Sequence, residues 1–372
     1  MPDAALRDLR FARLRSQHLT DDTRLTTAVA DVVAKACGLQ AQAFDAARHQ
    51  VRVRASGLTA GDVDRAFEVD RSVVRTWLMR GTLHLCAAED LRWLVDLFGP
   101  AVNQLAASRR RALGLDDATC QRGLAVIRKA LADGPVARRR IREALVRAGV
   151  LEEPVGQSLV FLLYHAAALG VVCCGPRMGR DDSFVLLDDW VAPSKGPGGD
   201  TALAELAVRY FEAFGPASEG DFAAWSGLRM SVVRPAMQAI GSRLAEFPGA
   251  IRGLWTVGTV ASEPPPGRPI VRLLGHFDTF LLGYKRRDQL GGAAAEAWIH
   301  TGGGGWIRPV VLVDGWITGG WRLDRVSGGF EIVVTPFEQH FARVNAGIGR
   351  EAASISAFLG RPVQWRSLPA RD

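Results

Sequence analysis

What most constrains this chain is a repeated order of segments followed by an abrupt change of texture. Up to about residue 247 the sequence reads as helices in sets of three, two of the sets ending in short strand-like runs, with a period of about 80 to 100 residues. Beyond that point helical periodicity gives way to short apolar runs separated by Gly and Pro. A chain of 372 residues is too long for one core, since single cores seldom grow past about 250 residues. Several small helical units and one β-rich unit are therefore expected.

The first set closes with "LTAGDVDRAFEVDRSVVRTWLMRGTLHLC". Leu58 to Val69 reads as one helix capped by Thr59, and "DRSVVRTWLMRG" as a second, capped by Asp70 and stopped by Gly81. "TLHLC" alternates like a strand. Helix, turn, helix, strand is the pattern of a winged helix, a relative of the helix-turn-helix. The second set repeats it: "CQRGLAVIRKALADG" and "VARRRIREALVRAG" are helices ended by Gly134 and Gly149, "EPVGQSLVFLLYHAAALG" is a third, and "VVCCGPRMGRDDSFVLL" has the outline of a wing. "SKGPGGD" is a linker by composition. The third set is "TALAELAVRYFEAFG", "SEGDFAAWSG" and "RMSVVRPAMQAIG", with Ser218 and Asp221 at capping spacing. In the carboxy-terminal part "VDGW" places Asp-Gly between two apolar runs, a hairpin signal. A last helix, "EQHFARVNAGIGREAASISAFLG", closes this part, and "RPVQWRSL" is expected to return as a strand.

The expected fold class is α+β: winged helices over residues 1–115, 116–199 and 200–250, and a C-terminal β-barrel with a closing helix over 251–372. No run reaches about 18 apolar residues, so no membrane span is expected. The start, "MPDAALRDLRFARLRSQHL", carries Asp3 and Asp8 and reads as an amphipathic helix rather than a leader. Five cysteines, at 37, 86, 120, 173 and 174, form no CxxC, which supports neither a disulfide framework nor a zinc site, and a reducing cytoplasm is the expected compartment. No metal and no cofactor are expected. The formal charge is +7, carried almost wholly by arginine, with four lysines among 46 basic residues. That balance favours an anionic partner, nucleic acid above all.

One stretch, "GLQAQAFDAARHQ" at residues 38–50, sets Gln40 and Gln42 on either side of one alanine, between an apolar helical run and an arginine-bearing one. In an extended segment the two amides point to the same side. "GLQAQ", "VRTWLMRGTLHLC", "DFAAWSGLRMSVVRPAM", "LLGHFDTFLLGYKRRD" and "PVVLVDGWITGGWRL" follow one another in an order that resembles the winged-helix DNA glycosylase family. That family includes AlkZ-type enzymes that unhook interstrand crosslinks in antibiotic-producing bacteria. The resemblance covers nearly the whole chain. It implies three tandem winged helices with a carboxy-terminal barrel, and it makes Gln40 and Gln42 the catalytic pair.

The chemistry fits two amides. Breaking a base–sugar bond passes through an oxocarbenium-like state. A purine alkylated at N7 already carries positive charge and leaves without protonation, so the protein has to position one water and offer oxygen dipoles to the developing cation. A glutamine side chain both donates and accepts. The expected partner is double-stranded DNA carrying alkylated or crosslinked purines, bound by a monomer. With only Lys35 near the motif, hydrolysis is expected rather than a Schiff-base lyase step. Because a crosslinked base cannot be freely swung out, such an enzyme should approach the sugar from the minor groove.

DNA contacts are expected at Arg71 and Arg75, four apart on the helix read over 70–81, at Arg80 and His84 of "RGTLHL", at Arg138 and Arg139 in "ARRRIR", and at His276, Asp278, Arg286 and Arg287 in "GHFDTFLLGYKRRD". Solvated faces and structural caps account for the same residue types. "TGGGGW" lacks the Lys-Ser/Thr of a phosphate loop and reads as a hairpin tip, and Trp298, Trp306, Trp316 and Trp321 read as core. The rival reading is a non-catalytic winged-helix DNA-binding protein, a transcription regulator or lesion sensor, for which the glutamine pair has no use.

Overall fold

The computed structural model describes residues 2–179, 181–248, 251–262, 267–300, 305–337 and 344–369. The chain divides into two compact units, one of Met1–Val63 with Ala204–Asp372 and the other Asp64–Leu203. In chain order it begins α1 (Pro2–Ser16), α2 (Val29–Lys35), β1 (Leu39–Gln40), α3 (Phe44–Arg54), α4 (Ala60–Glu68), β2 (Val73–Trp77), β3 (Leu83–Ala87) and α5 (Leu91–Ala112). It continues α6 (Asp117–Ala130), β4 (Val136–Ala137), α7 (Arg138–Arg147), α8 (Ser158–Ala168), β5 (Val172–Cys174), β6 (Ser183–Leu186) and α9 (Leu187–Trp190). The order α2–β1–α3–α4–β2–β3 thus recurs as α6–β4–α7–α8–β5–β6.

Within Asp64–Leu203, β4, β6 and β5 form a three-stranded sheet in that order, and β2 pairs antiparallel with β3. Here the expectation of a helix over 70–81 is overturned: Val73–Trp77 is a strand, buried along its whole length. Two valines, a threonine and a tryptophan in five residues favour a pleated surface over a helix. Asp70 caps nothing there; its carboxylate accepts from Arg65. Gly81, at φ 69°, belongs to the turn between the strands, where a Cβ would fall 2.1 Å from the Tyr164 hydroxyl. Trp77 stacks on Phe184 and meets Tyr164 edge-on.

The other unit joins the early helices to α10 (Gly199–Phe214), α11 (Glu219–Ser226), α12 (Met230–Ala239), β7 (Leu244–Glu246) and β8 (Trp255–Val257). Ser218 and Asp221 close the capping box that their spacing predicts. After β9 (Val271–Leu274), α13 (Thr279–Leu282) and α14 (Ala293–His300) come β10 (Val310–Val313), β11 (Trp316–Val326), β12 (Gly329–Pro336), α15 (Asn345–Leu359) and β13 (Val363–Ser367). The Asp314-Gly315 turn joins β10 to β11 with both residues at positive φ, 50° and 76°.

The strand order is β13-β12-β11-β10-β9, so among the described residues this is an open sheet with two edges rather than a closed barrel. Its inner face, Leu273, Val311, Trp321, Ile332 and Val334, packs on Ile348, Ala352 and Ile355 of α15. That burial substitutes for barrel closure. Trp298 and Trp321 are core, as read, but Trp306 is 38% exposed and Trp316 is half-buried beneath Arg10. Residues 301–304 of the glycine run and 338–343, ahead of α15, lie outside the described residues. No described helix is long and apolar enough to cross a membrane.

Candidate active site

The glutamine pair sits between α2 and α3. α2 ends where Cys37 and Gly38 both take positive φ, 54° and 90°, which turns the chain sharply into β1. Gln40 ends β1 and is 6% exposed; its backbone carbonyl accepts from Gln50 Nε2 at 2.9 Å. Ala41 is fully buried. The chain then bends at Gln42 and Ala43, and Gln42 is exposed. The extended register therefore stops at Gln40, and strand alternation does not set the direction of Gln42. The glutamines form one inner and one outer amide at the start of α3, with Asp45 in its first turn paired to Arg48 at 2.8 Å.

α3 is pinned along its buried side. Arg54 reaches Asp278 through two contacts, 2.7 and 3.0 Å, and also donates to Thr279 Oγ1 and Gln17 Oε1. Arg52 donates to Glu351 at 2.8 Å and to the Leu273 carbonyl. Burial pushes the Glu351 carboxyl up, but Arg52 and Arg272 outweigh it and hold it below the usual carboxylate range. His49 Nε2–H donates to the Leu273 carbonyl at 2.7 Å; burial first, then the charge of Arg52, lower its pKa to about 3. This imidazole is neutral at physiological pH.

The residues read as DNA contacts separate into interior and surface groups. Asp278 is fully buried, committed to Arg54 and to capping α13 at Phe280 N–H, so its place is structural. Arg75 is buried and donates to Asp182 at 3.0 Å; it lies on β2, so it shares no helix face with Arg71. His84 is buried on β3, donating to the Thr82 carbonyl, with its pKa lowered to about 3 by burial and then by Arg80. These three point inward, where a phosphate does not reach. Arg80 is half-buried in the strand turn at φ 56°. His276 is half-buried and donates to the Ile307 carbonyl.

The surface group begins with Arg71, whose guanidinium lies 4.0 Å over the Trp190 ring. Arg138 and Arg139 open α7 and are exposed, Arg139 against Glu143. Arg286 is exposed beside Asp288, while Arg287 is half-buried on the Leu281 carbonyl and His300. Sequence reading missed Gln50, Arg52 and Arg54. Its available signal was their position: Phe44, Ala47, Gln50, Val51 and Arg54 recur at helical spacing, which puts polar side chains on the buried face of α3.

A helical chain with recurrent short sheets, a glutamine pair at the head of a pinned helix, and exposed arginines is the arrangement against which the relatives are compared. The family model of the AlkZ-like DNA glycosylases matches residues 33–358. The interstrand DNA cross-link repair glycosylase of Streptomyces sahachiroi is 30% identical over 370 residues, covering 94% of this chain and 95% of that one. The structure of the Streptomyces sahachiroi DNA glycosylase AlkZ is similar with a TM-score of 0.81 and 26% identity, covering 98% of this chain and 99% of that one. The chain belongs to the AlkZ-like DNA glycosylase family, and it is a DNA glycosylase.

Proposed function

We propose that the protein is a monofunctional glycosylase that hydrolyses the N-glycosidic bond of N7-alkylated purines in double-stranded DNA, unhooking interstrand crosslinks. The observation that carries this reading is the pair Gln40 and Gln42 at the head of a helix fastened by two buried ion pairs. Rigid support of this kind suits a site whose work is to place one water. Gln40 and Gln42 hold that water and direct oxygen dipoles at the developing cation. Lys35, on the last turn of α2, takes no covalent part, so the product is an abasic site.

Three winged helices over 1–115, 116–199 and 200–250 are the domain reading we favour, followed by the β-rich part, 251–372. The recurrence of helix, short strand, helix, helix and two-stranded wing supports it, as does the third set's α10–α11–α12–β7–β8. It moves the third helix of the first unit from residues 70–81 to α4. In the second copy the residues following the short strand are Arg138, Arg139 and Arg140, where the first has Ala41 and Gln42. That contrast supports catalysis in the first copy and backbone binding in the second. Arg71, Arg138, Arg139 and Arg286 are the cations we assign to DNA phosphates. The enzyme acts as a monomer on cytoplasmic, nucleoid DNA, with no cofactor. Base release from a duplex with one N7-methylguanine, and from one with an N7-linked crosslink, read as strand breaks at the abasic site after treatment with alkali, tests the reading. Release of base from neither by wild type overturns it.

A further inference from the structure

Gln50 closes the stretch that begins at Gly38, and its side chain is fully buried. Both ends of its amide are spent on backbone. Nε2 donates to the Gln40 carbonyl at 2.9 Å, and Oε1 accepts from the Thr279 N–H at 3.2 Å. One turn on, Arg54 Nη1 donates to the Gln50 carbonyl while Nη1 and Nη2 together grip Asp278, the residue before Thr279. The amide is thus a strut of fixed length between the strand that carries Gln40 and the segment to which α3 is pinned.

We infer that Gln50 is a positioning residue of the glycosylase reaction: it sets the place of the Gln40–Gln42 segment without touching substrate. This rests on the assignment of those two glutamines to catalysis. Only a group that donates at one end and accepts at the other satisfies both backbone partners, and an unsatisfied buried polar group is costly. The backbone of Gln40 is what the strut holds, so its loss shifts the inner amide rather than removing it.

A carboxylic acid at this position makes the inference testable. In Gln50→Glu the neutral carboxyl donates through its O–H to Gln40 and accepts from Thr279, as the amide does. Ionised, it presents only acceptors and repels the Gln40 carbonyl. The charged groups facing it are Arg54 on its own helix and Asp278 beside Thr279; Gln17 and the Thr279 hydroxyl are neutral. The experiment compares wild type, Gln50→Glu and Gln50→Leu for single-turnover base release from a duplex with one N7-methylguanine, across pH. Duplex affinity, thermal midpoint and hydrogen–deuterium exchange of residues 39–43 are followed in parallel.

Gln50→Leu is expected to lose about 100-fold in single-turnover rate, the scale of a small misplacement, at unchanged duplex affinity and with faster exchange over 39–43. Gln50→Glu is expected to match wild type at acid pH and to lose rate through one added ionisation as pH rises. Wild-type rate and exchange in Gln50→Leu overturn the inference. So does a rate loss in Gln50→Glu that follows the thermal midpoint at every pH. If wild type releases no base while Gln50→Leu still speeds exchange over 39–43, the positioning role stands and the substrate reading fails.

Discussion

Arg54 and Asp278 meet face to face inside the protein, two guanidinium nitrogens on two carboxylate oxygens at 2.7 and 3.0 Å, with Asp278 wholly shielded from solvent. Removing one partner strands the other charge. Arg54→Leu and Asp278→Leu, each alone, should cost about 3–5 kcal/mol, and the double replacement less than the sum. Urea unfolding of the four proteins measures this. Two single variants within about 1 kcal/mol of wild type would refute it.

Gln40→Ala and Gln42→Ala should each lower base release by about 100-fold or more while leaving duplex affinity and unfolding midpoint near wild type. Lys35→Ala should leave release intact, and borohydride should trap no protein–DNA adduct. A trapped adduct would mean that a lyase step exists.

Two buried imidazoles predict an acid limb of stability. His49 and His84 each fall from 6.5 to about 3 on folding, burial being the main cause. The unfolded chain takes up protons near 6.5 and the folded one does not. The stability carried by the neutral rings is therefore complete above pH 6.5 and lost as pH falls from 6.5 toward 3, at up to about 1.4 kcal/mol per unit for each ring. Between pH 7 and 5, His84→Gln should lose about 2 kcal/mol less than wild type in urea unfolding. An unchanged loss would show that His84 is already protonated in the folded state.

The separation of surface from interior arginines is testable by salt. Arg71→Ala, Arg138→Ala and Arg286→Ala should each flatten the slope of log affinity against log salt by about 0.9 on undamaged duplex. Arg75→Ala, whose side chain is buried against Asp182, should lower the thermal midpoint and leave that slope alone. A shallower slope for Arg75→Ala would place it on DNA.

What the sequence revealed was local. Helices with their own stop signals, such as α6 and α7 ended before Gly134 and Gly149, and the Asp-Gly turn of β10 and β11, are written in a few adjacent residues. β2 was misread because burial along both its faces erases the alternation that marks a strand. α14 has no counterpart in the sequence reading, because its alanine-rich segment sits among strand signals. The glutamine pair stands out in the sequence through resemblance and chemical sense. Its supports were not, because Arg52 and Arg54 find their carboxylates 299 and 224 residues away, and no short-range pattern encodes such a pairing.

Those separations also order events during synthesis. The helix that follows the glutamine segment is translated well before the carboxylates that fix it, since Glu351 lies 299 residues beyond Arg52 and Asp278 224 beyond Arg54. At about 5–20 residues per second, α3 waits roughly 10 to 60 seconds for the groups that fix it. Until the carboxy-terminal sheet is complete, a nascent or truncated chain holds the motif on an unfastened helix with unpaired arginines. Fastening α3 is therefore a late step, which waits for Asp278 and Glu351 whatever else of its unit has already folded.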